Sequence, residues 1–202
     1  MTTARARSHY HHGDLESALI STARKLVKQN GAEHLSLRQV SQEIGVSPSA
    51  AYHYFPDRDA LLTGLGFSLF EELADFQEKE IAKIPGSSAR AARERFRVLG
   101  RTYFHWANRE PHLFNLMFSD FCSVENGVHN QREESRAFIN LTKCLDELYE
   151  FDLISTKMRP YGELLSWSVV HGATSLIIGG HLEIENFESA LDAVEHALGI
   201  KR

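Results

Sequence analysis

The sequence is poor in cysteine and has no long apolar run. Its 202 residues include two cysteines, Cys122 and Cys144, which lie far apart and match no metal-ligand spacing. A structural disulfide is therefore not expected, and we predict that both residues are buried thiols. No stretch of about 18 consecutive apolar residues occurs, which excludes a membrane-spanning helix and argues against a membrane partner.

The first nine residues have no pattern of a targeting signal. Residues 1–9 carry Arg5 and Arg7 but no apolar segment behind these charges, so we expect no secretory signal and place the protein in the cytoplasm. As a flexible basic arm they can reach into a minor groove of DNA, and a tail with no role is the alternative. The adjacent His11 and His12 have no partners at ligand spacing, so no metal site is predicted.

Motifs for catalysis are also missing. The chain has no Gly-rich phosphate loop after a strand, no Glu-x-x-His pair, and no serine or cysteine in the context of a nucleophile. Asp192 and His196 share one face of a predicted helix, but no third group joins them. We predict that the protein is not an enzyme and needs no cofactor. The rival hypothesis is a helical domain whose apolar cavity hosts catalysis.

Charge is distributed unevenly along the chain. The formal net charge of −5 argues at first against a nucleic-acid partner. Residues 1–58, however, hold seven Lys or Arg against five Asp or Glu, whereas residues 59–202 hold fifteen against twenty-two. Only the first segment can lie against phosphates, and the asymmetry favours two domains with different partners.

Residues 36–55 predict two short helices joined by a tight turn. Ser36 and Gln39 have the spacing of a capping box, so the first helix is expected to begin just after Ser36. Gly45 supplies the positive φ of a helix C-cap, and Ser47, followed by proline, opens the second helix. Two caps so close together force a sharp turn, which is the layout of a helix-turn-helix.

The second of these helices carries small or hydrogen-bonding residues along its exposed side. Because none of them has a bulky aliphatic group, the helix can enter a major groove and place hydroxyls and methyls against base edges. A short core helix with an ordinary polar face is the alternative. The residues concerned are Ser47, Ser49, Ala50, Ala51, Tyr52 and His53.

Helical periodicity continues through the rest of the chain, and no stretch alternates in the manner of a strand, so we predict an all-α fold. Asp14 is expected to cap a first helix that ends at Asn30 and Gly31. Asp57 is expected to start a long helix that keeps its apolar stripe as far as Ile84. This long helix belongs to both halves of the chain and is the expected lever between them.

Several fixed spacings resemble the N-terminal domain of TetR/AcrR-type transcriptional repressors. They are Tyr10-His-His-Gly-Asp-Leu15, Leu35-Ser-Leu-Arg-Gln-Val40, Gly45-Val-Ser47 and Tyr52-His-Tyr-Phe55. The resemblance implies a three-helix helix-turn-helix DNA-binding domain over residues 10–70 and a helical ligand-binding and dimerisation domain over residues 71–202. It implies a homodimeric repressor that a small ligand releases from a palindromic double-stranded DNA operator.

The resemblance also implies roles for individual residues in DNA recognition. Those expected at the bases or their backbone are Arg38, Ser49, Ala50 and Tyr52, and Arg38 can offer a bidentate fork to a guanine. Those expected at phosphates, helped by helix N-termini at 36, 47 and 57, are Ser36, Ser47, His53, Tyr54 and Arg58. Pro48 and Ser49 stand where many relatives carry lysine and glycine, so one expected phosphate contact is missing.

Four arginines recur at helical spacing between residues 89 and 107. They form either a second phosphate-binding stripe or the solvated face of a helix whose aromatic residues point inward. The acidity of the surrounding domain favours the solvated face. The four residues are Arg90, Arg93, Arg97 and Arg101.

Two amphipathic helices end the chain, one from Tyr161 to Ile178 and one capped by Asn186. They have more apolar surface than their own domain needs, so we predict a four-helix bundle between two copies of the chain. Complete burial within one chain is the alternative. The run Trp167-Ser-Val-Val-His-Gly172 resembles the Trp-His-Gly signature of one C-terminal subgroup of the family.

Aromatic and soft residues of the second half predict an apolar pocket with few polar groups, which suits a small hydrophobic or aromatic inducer. Simple filling of a helical core is the alternative for each of them. The candidate ligand-binding residues are Phe104, Phe114, Met117, Phe118, Phe121, Cys122, Phe138, Trp167 and His171. A dimeric adaptor that binds no nucleic acid is a further hypothesis, and it predicts no salt-dependent binding to duplex DNA.

Overall fold

The computed structural model describes residues 12–120 and 135–200, and the regular elements in these two ranges are all helices. The all-α prediction is thereby confirmed. Short 3-10 turns lie at Ala32–His34 and Arg159–Tyr161. The nine α-helices of the described residues are α1 (His12–Asn30), α2 (Leu37–Ile44), α3 (Pro48–Tyr54), α4 (Arg58–Ile81), α5 (Ala89–Arg109), α6 (Pro111–Met117), α7 (Arg136–Glu150), α8 (Gly162–Ile178) and α9 (Asn186–Leu198).

Local capping sets the boundaries of α2 and α3. The Ser36 hydroxyl accepts a hydrogen bond from the Gln39 amide at 3.1 Å, and the Ser47 hydroxyl accepts one from the Ala50 amide at 3.2 Å. Between the two helices Gly45 has a φ of 74°, in the left-handed region that favours glycine. These caps produce the predicted helix-turn-helix.

Other helix boundaries differ from prediction by a few residues. α1 begins at His12, so Asp14 lies inside the helix instead of capping it. α4 begins after Asp57, as predicted, but its α-helical geometry ends at Ile81 and a turn continues to Ile84. Asn186 is the first residue of α9 and follows the cap position. The order of the elements is unaffected.

The first four helices share one apolar core with α6. Leu19 on α1, Val40 on α2 and Leu65 on α4 are fully buried in it. α6 adds Leu113 and Met117, which are also without solvent exposure. The predicted domain boundary at residue 70 therefore falls inside α4, and a helix from the second half of the sequence completes the core of the first.

The C-terminal part of the molecule is built from α5, α7, α8 and α9. Leu145 on α7, Phe96 on α5 and Leu198 on α9 pack in one buried cluster. In a neighbouring cluster Phe104 on α5 stacks on Phe187 of α9, with 4.1 Å between the ring centroids. The apolar stripe of α9 is thus covered within the chain.

Three arginines of α5, Arg93, Arg97 and Arg101, bind the last helix. Glu195 on α9 is 4% exposed and accepts hydrogen bonds from Arg93 at 2.9 and 2.7 Å and from Arg97 at 2.8 Å. Arg97 and Arg101 both bind Glu188, one turn before the middle of α9. Carboxylates of α9 thus occupy these three guanidinium groups, which remain partly exposed, while Arg90 is exposed as predicted for a solvated face.

Candidate nucleic-acid interface and apolar cavity

Helix α3 buries one face and exposes the other. Ala51 is fully buried against the N-terminal core, whereas Ser49, Tyr52 and His53 are exposed, Tyr52 to 45%. A large aromatic side chain left this open on a short helix is available to a partner. The half-buried positions beside this face are Ala50 and Tyr54.

Arg38 and the two capping serines surround the turn between α2 and α3. Ser36, Arg38 and Ser47 are all exposed. The serine hydroxyls accept hydrogen bonds in their helix caps, and each still has a proton to donate to a phosphate oxygen. Among the described residues Arg38 forms no salt bridge, so its guanidinium can bind an external anion or a base edge.

The start of α4 is occupied by contacts within the protein. Arg58 donates from Nη2 to the carbonyl oxygen of Ala32 at 2.7 Å, and its Nη1 lies 3.4 Å from Asp59. The Asp57 carboxylate accepts the Ala60 amide at 2.7 Å and places a negative charge at this helix end. The N-terminus of α4 is therefore not an open anion site, and Arg58 holds the helix on the 3-10 turn.

A cavity lies between the helices of the C-terminal half. Its volume is about 80 Å³ when it is measured as the space that the centre of a water molecule can occupy. Helices α4, α5, α7, α8 and α9 all contribute to its wall. The long helix of the N-terminal core therefore reaches the cavity directly. The lining residues are Phe70, Leu73, Gln77, Phe96, Leu99, Gly100, Tyr103, Phe118, Ser135, Ala137, Phe138, Leu141, Ser166, Trp167, Val170, Leu191 and Val194.

Three of the predicted ligand-binding residues line this cavity. Phe118, Phe138 and Trp167 come from three different parts of the chain. The ring of Trp167 lies 6.3 Å from Phe138 and 6.4 Å from Phe118, measured between centroids. The structure thus brings these side chains together at one wall.

Other predicted ligand residues lie elsewhere. Phe104 stacks on Phe187, while Phe114 and Met117 are buried in the core that α6 shares with α1 to α4. His171 does not line the cavity. It contacts the wall through Tyr103, whose hydroxyl lies 2.8 Å from the Nδ1 of His171. These four predicted residues are therefore not part of the cavity lining.

The predicted ligand residues Phe121 and Cys122 lie outside the described residues, as does the N-terminal arm with Arg5 and Arg7. The second cysteine, Cys144, is buried as predicted, at 5% exposure. Burial raises the pKa of its thiol to about 12, so the thiol stays protonated at neutral pH.

The sequence prediction missed the polar part of the lining. Gln77 is 4% exposed and Ser166 is 3% exposed, and both line the cavity. The signal for Gln77 was present, since it continues the row of Leu69 and Leu73 at a spacing of four residues. A polar residue on the buried stripe of a helix indicates a hydrogen-bonding role inside the fold.

Within the described part of the chain, no group of three or more His, Cys, Asp or Glu side chains is arranged to hold a metal ion. None of its helices combines the length and apolar character required to cross a bilayer.

Comparison with known families gives two matches along the chain. Residues 19–65 match the family described as bacterial regulatory proteins, tetR family. Residues 96–199 match a family described as tetracyclin repressor-like, C-terminal domain. The first match contains the helix-turn-helix, and the second contains most of the cavity wall.

Individual relatives give the same picture. Over 61 residues, or 30% of the chain, the sequence is 36% identical to HTH-type transcriptional regulators of Mycobacterium tuberculosis and Mycobacterium bovis, and the match spans about a quarter (26%) of those relatives. A solved protein of unknown function from Rhodococcus sp. RHA1 is 27% identical, with a TM-score of 0.74 over 96% of this chain and 100% of that one. A TetR family transcription regulator from Marinobacter aquaeolei VT8 is 20% identical, with a TM-score of 0.64 over 92% of this chain and 96% of that one.

Proposed function

The chain belongs to the tetR family of bacterial regulatory proteins, and we propose that it is a homodimeric repressor that leaves a palindromic DNA operator when a small apolar ligand enters the cavity. Members of this family are DNA-binding transcriptional regulators and not enzymes. The observation that carries the proposal is the outward face of α3, where Ser49, Tyr52 and His53 are exposed beside the fully buried Ala51. Because bacterial DNA lies in the cytoplasm, the protein acts there.

The proposed DNA contacts are made by side chains that are at least partly exposed. Those proposed at base edges are Arg38, Ser49, Ala50 and Tyr52. Those proposed at phosphates are Ser36, Ser47, His53 and Tyr54. Arg58 is assigned to positioning α4, because it donates to the Ala32 carbonyl inside the protein.

Operator binding is tested with DNA from the region next to the protein's own gene. Wild-type protein is titrated against duplex fragments at about 50 and 200 mM salt, and affinity should fall steeply between the two conditions. Tyr52→Ala should weaken binding by about tenfold or more, while the control Tyr149→Ala, an equally exposed tyrosine on α7 at 41%, should not. Absence of salt-dependent binding would favour the adaptor hypothesis.

The dimer contact is proposed on α8 and α9. Leu164 and Leu176 on α8 are 65% and 45% exposed, and Leu182 and Ile184 in the following connection are 39% and 50% exposed. Large exposed apolar residues concentrated in one segment of the chain are typical of an interface between protein copies. α9 adds small exposed residues rather than spare apolar ones, since its own apolar stripe is buried.

A paired substitution tests this contact. Leu164→Glu combined with Leu176→Glu should convert the dimer to a monomer in sedimentation or light-scattering measurements, because charges cannot be buried there without partners. Ile139→Glu on α7, at 37% exposure, is the matched control and should leave the dimer intact. A double variant that stays dimeric would place the interface on another surface.

Ligand release is proposed to act through α4. Phe70, Leu73 and Gln77 of this helix line the cavity, and Leu61 and Leu65 of the same helix lie in the DNA-binding core. A ligand that shifts α4 therefore changes the distance between the two recognition helices of the dimer. To weaken operator binding about a hundredfold, the ligand must prefer the shifted state by about 2.7 kcal/mol.

A further inference from the structure

We propose that the cavity selects an uncharged aromatic compound that carries a hydrogen-bond acceptor such as a carbonyl oxygen. This inference rests on the proposed role of the cavity as the ligand site and specifies the chemistry of that ligand. Three properties of the wall carry it: the absence of charged side chains among its described residues, two buried polar groups, and a set of aromatic rings.

The first property concerns charge. No Asp, Glu, Lys or Arg lines the cavity among the residues that the structure describes. Four arginines of α5, a helix that supplies part of the wall, are bound by carboxylates of neighbouring helices. Arg93 and Arg97 bind Glu195, Arg101 binds Glu188, and Arg95 binds Glu147 of α7. An ionised ligand would therefore lose its hydration without gaining a counter-charge, which is strongly unfavourable.

The second property concerns hydrogen bonding. The Ser166 hydroxyl is buried in the wall and has no hydrogen-bond partner within the described chain. Gln77 uses its Oε1 to accept a hydrogen bond from Asn140 at 3.3 Å, so the group it can offer to a ligand is its NH2. Both residues can donate, and an acceptor oxygen on the ligand satisfies a hydroxyl that is otherwise left without a partner.

The third property concerns shape. Aromatic rings on four helices and at the end of α6 face this space, and flat rings pack well against a flat ligand. Tyr103 contributes its ring, and its hydroxyl pairs with His171 Nδ1 at 2.8 Å. The aromatic lining residues are Phe70, Phe96, Tyr103, Phe118, Phe138 and Trp167.

Three probes of one shape test the proposal by calorimetric titration of the full chain. They are 2-acetylnaphthalene, which is neutral and has an acceptor, 2-isopropylnaphthalene, which lacks the acceptor, and 2-naphthoate, which is charged. The ketone should bind about tenfold more tightly than either of the others. Equal binding of the hydrocarbon, tighter binding of the carboxylate, or no binding of the ketone would overturn the proposal.

A matched pair of variants locates the acceptor contact. Ser166→Ala should lower the affinity for the ketone about fivefold and leave that for the hydrocarbon unchanged. Thr174→Val is the control, since it removes another buried hydroxyl without a partner from the same helix, but one that does not line the cavity. Equal affinities for the ketone in both variants would remove Ser166 from the site. Thermal unfolding of each variant identifies any loss of fold.

Operator titration in parallel separates this inference from the proposed function. If the protein binds the operator and the ketone fails to bind, the ligand class is wrong and the regulator assignment stands. If the ketone binds in the predicted order but does not weaken operator binding, the cavity chemistry is right and the proposed release mechanism is wrong.

Discussion

Trp106 of α5 donates its indole N–H to Oε1 of Glu72 on α4 at 3.1 Å. The same carboxylate oxygen accepts a hydrogen bond from Nη2 of Arg24 on α1 at 2.9 Å. One side chain thus joins the first helix of the DNA-binding half to a helix of the cavity wall. Trp106 is 6% exposed, so its N–H depends on this partner.

Removing that carboxylate should destabilise the fold moderately. Glu72→Ala leaves the Trp106 N–H without an acceptor, and we expect a loss of about 1–2 kcal/mol in the free energy of unfolding measured with urea. Partial exposure of Glu72 and Arg24 limits the ionic part of the effect. Lys79→Ala, at an exposed position of the same helix, should change stability little. If Glu72→Ala is as stable as wild type, the contacts of Glu72 with Trp106 and Arg24 do not contribute to stability.

Among the acidic residues of α9 that bind α5, Glu195 should contribute most to the stability of the fold. Glu195→Gln removes the charge that Arg93 and Arg97 share in a buried position, and we expect a loss of about 3 kcal/mol in unfolding free energy. Glu188→Gln is the comparison, because Glu188 is 53% exposed, solvent screens its ion pairs, and its loss should cost less than that of Glu195. Similar losses in the two variants would contradict the role of burial.

Glu188 gives the contact a defined pH dependence. Hydrogen bonding from Arg101, followed by that from Arg97, lowers the pKa of the Glu188 carboxyl from 4.5 to about 2. The folded state therefore binds this proton more weakly than the unfolded state, so the stabilisation is present above about pH 4.5 and is lost as the pH falls towards about 2. The melting temperature of wild type should fall more steeply in this window than that of Glu188→Gln. If the melting temperatures of the two proteins fall equally with pH, the lowered pKa of Glu188 is refuted.

Arg38 should contribute to the choice of operator sequence. Arg38→Ala should weaken operator binding by about 1–3 kcal/mol and relax the preference at one base pair, because a bidentate contact to guanine is lost. Titration against a set of operator variants measures both effects. Unchanged affinity and selectivity would remove Arg38 from the interface.

Cys144 should be unreactive in the folded protein. Its thiol is buried and its pKa is raised to about 12, so very little thiolate is present at about pH 8. In a Cys122→Ser background, where Cys144 is the only cysteine, a thiol reagent should label the protein in urea and not in native buffer. Rapid labelling of the native protein would contradict the buried position.

The helix-turn-helix was predictable from the sequence because short-range interactions define it. Ser36, Gly45, Ser47 and Asp57 each act on residues at most a few positions away, and all four lie at the predicted helix ends. Composition also predicted the exposed face of α3, except at Ala51, which was assigned to that face and is fully buried. Such features depend little on how distant helices are arranged.

The C-terminal half was less predictable because its decisive contacts are distant in sequence. Arg97 and Glu195 are 98 residues apart, and helical spacing alone identified the arginine but not its partner. Periodicity also distinguishes buried from exposed positions without showing which buried side chains border a cavity. Phe104 and Phe138 had the same sequence signal, yet one stacks on Phe187 and the other lines the cavity.

The packing of α6 restricts how this protein can be recombined with its relatives. A chimera joined at residue 70 would keep Leu19 and Leu65 but replace Leu113 and Met117, which fill the same core. The exchanged half would then leave a hole or an overlap beneath the DNA-binding surface. A foreign sensor half is therefore compatible with this N-terminal half only when its own sixth helix presents side chains of matching volume.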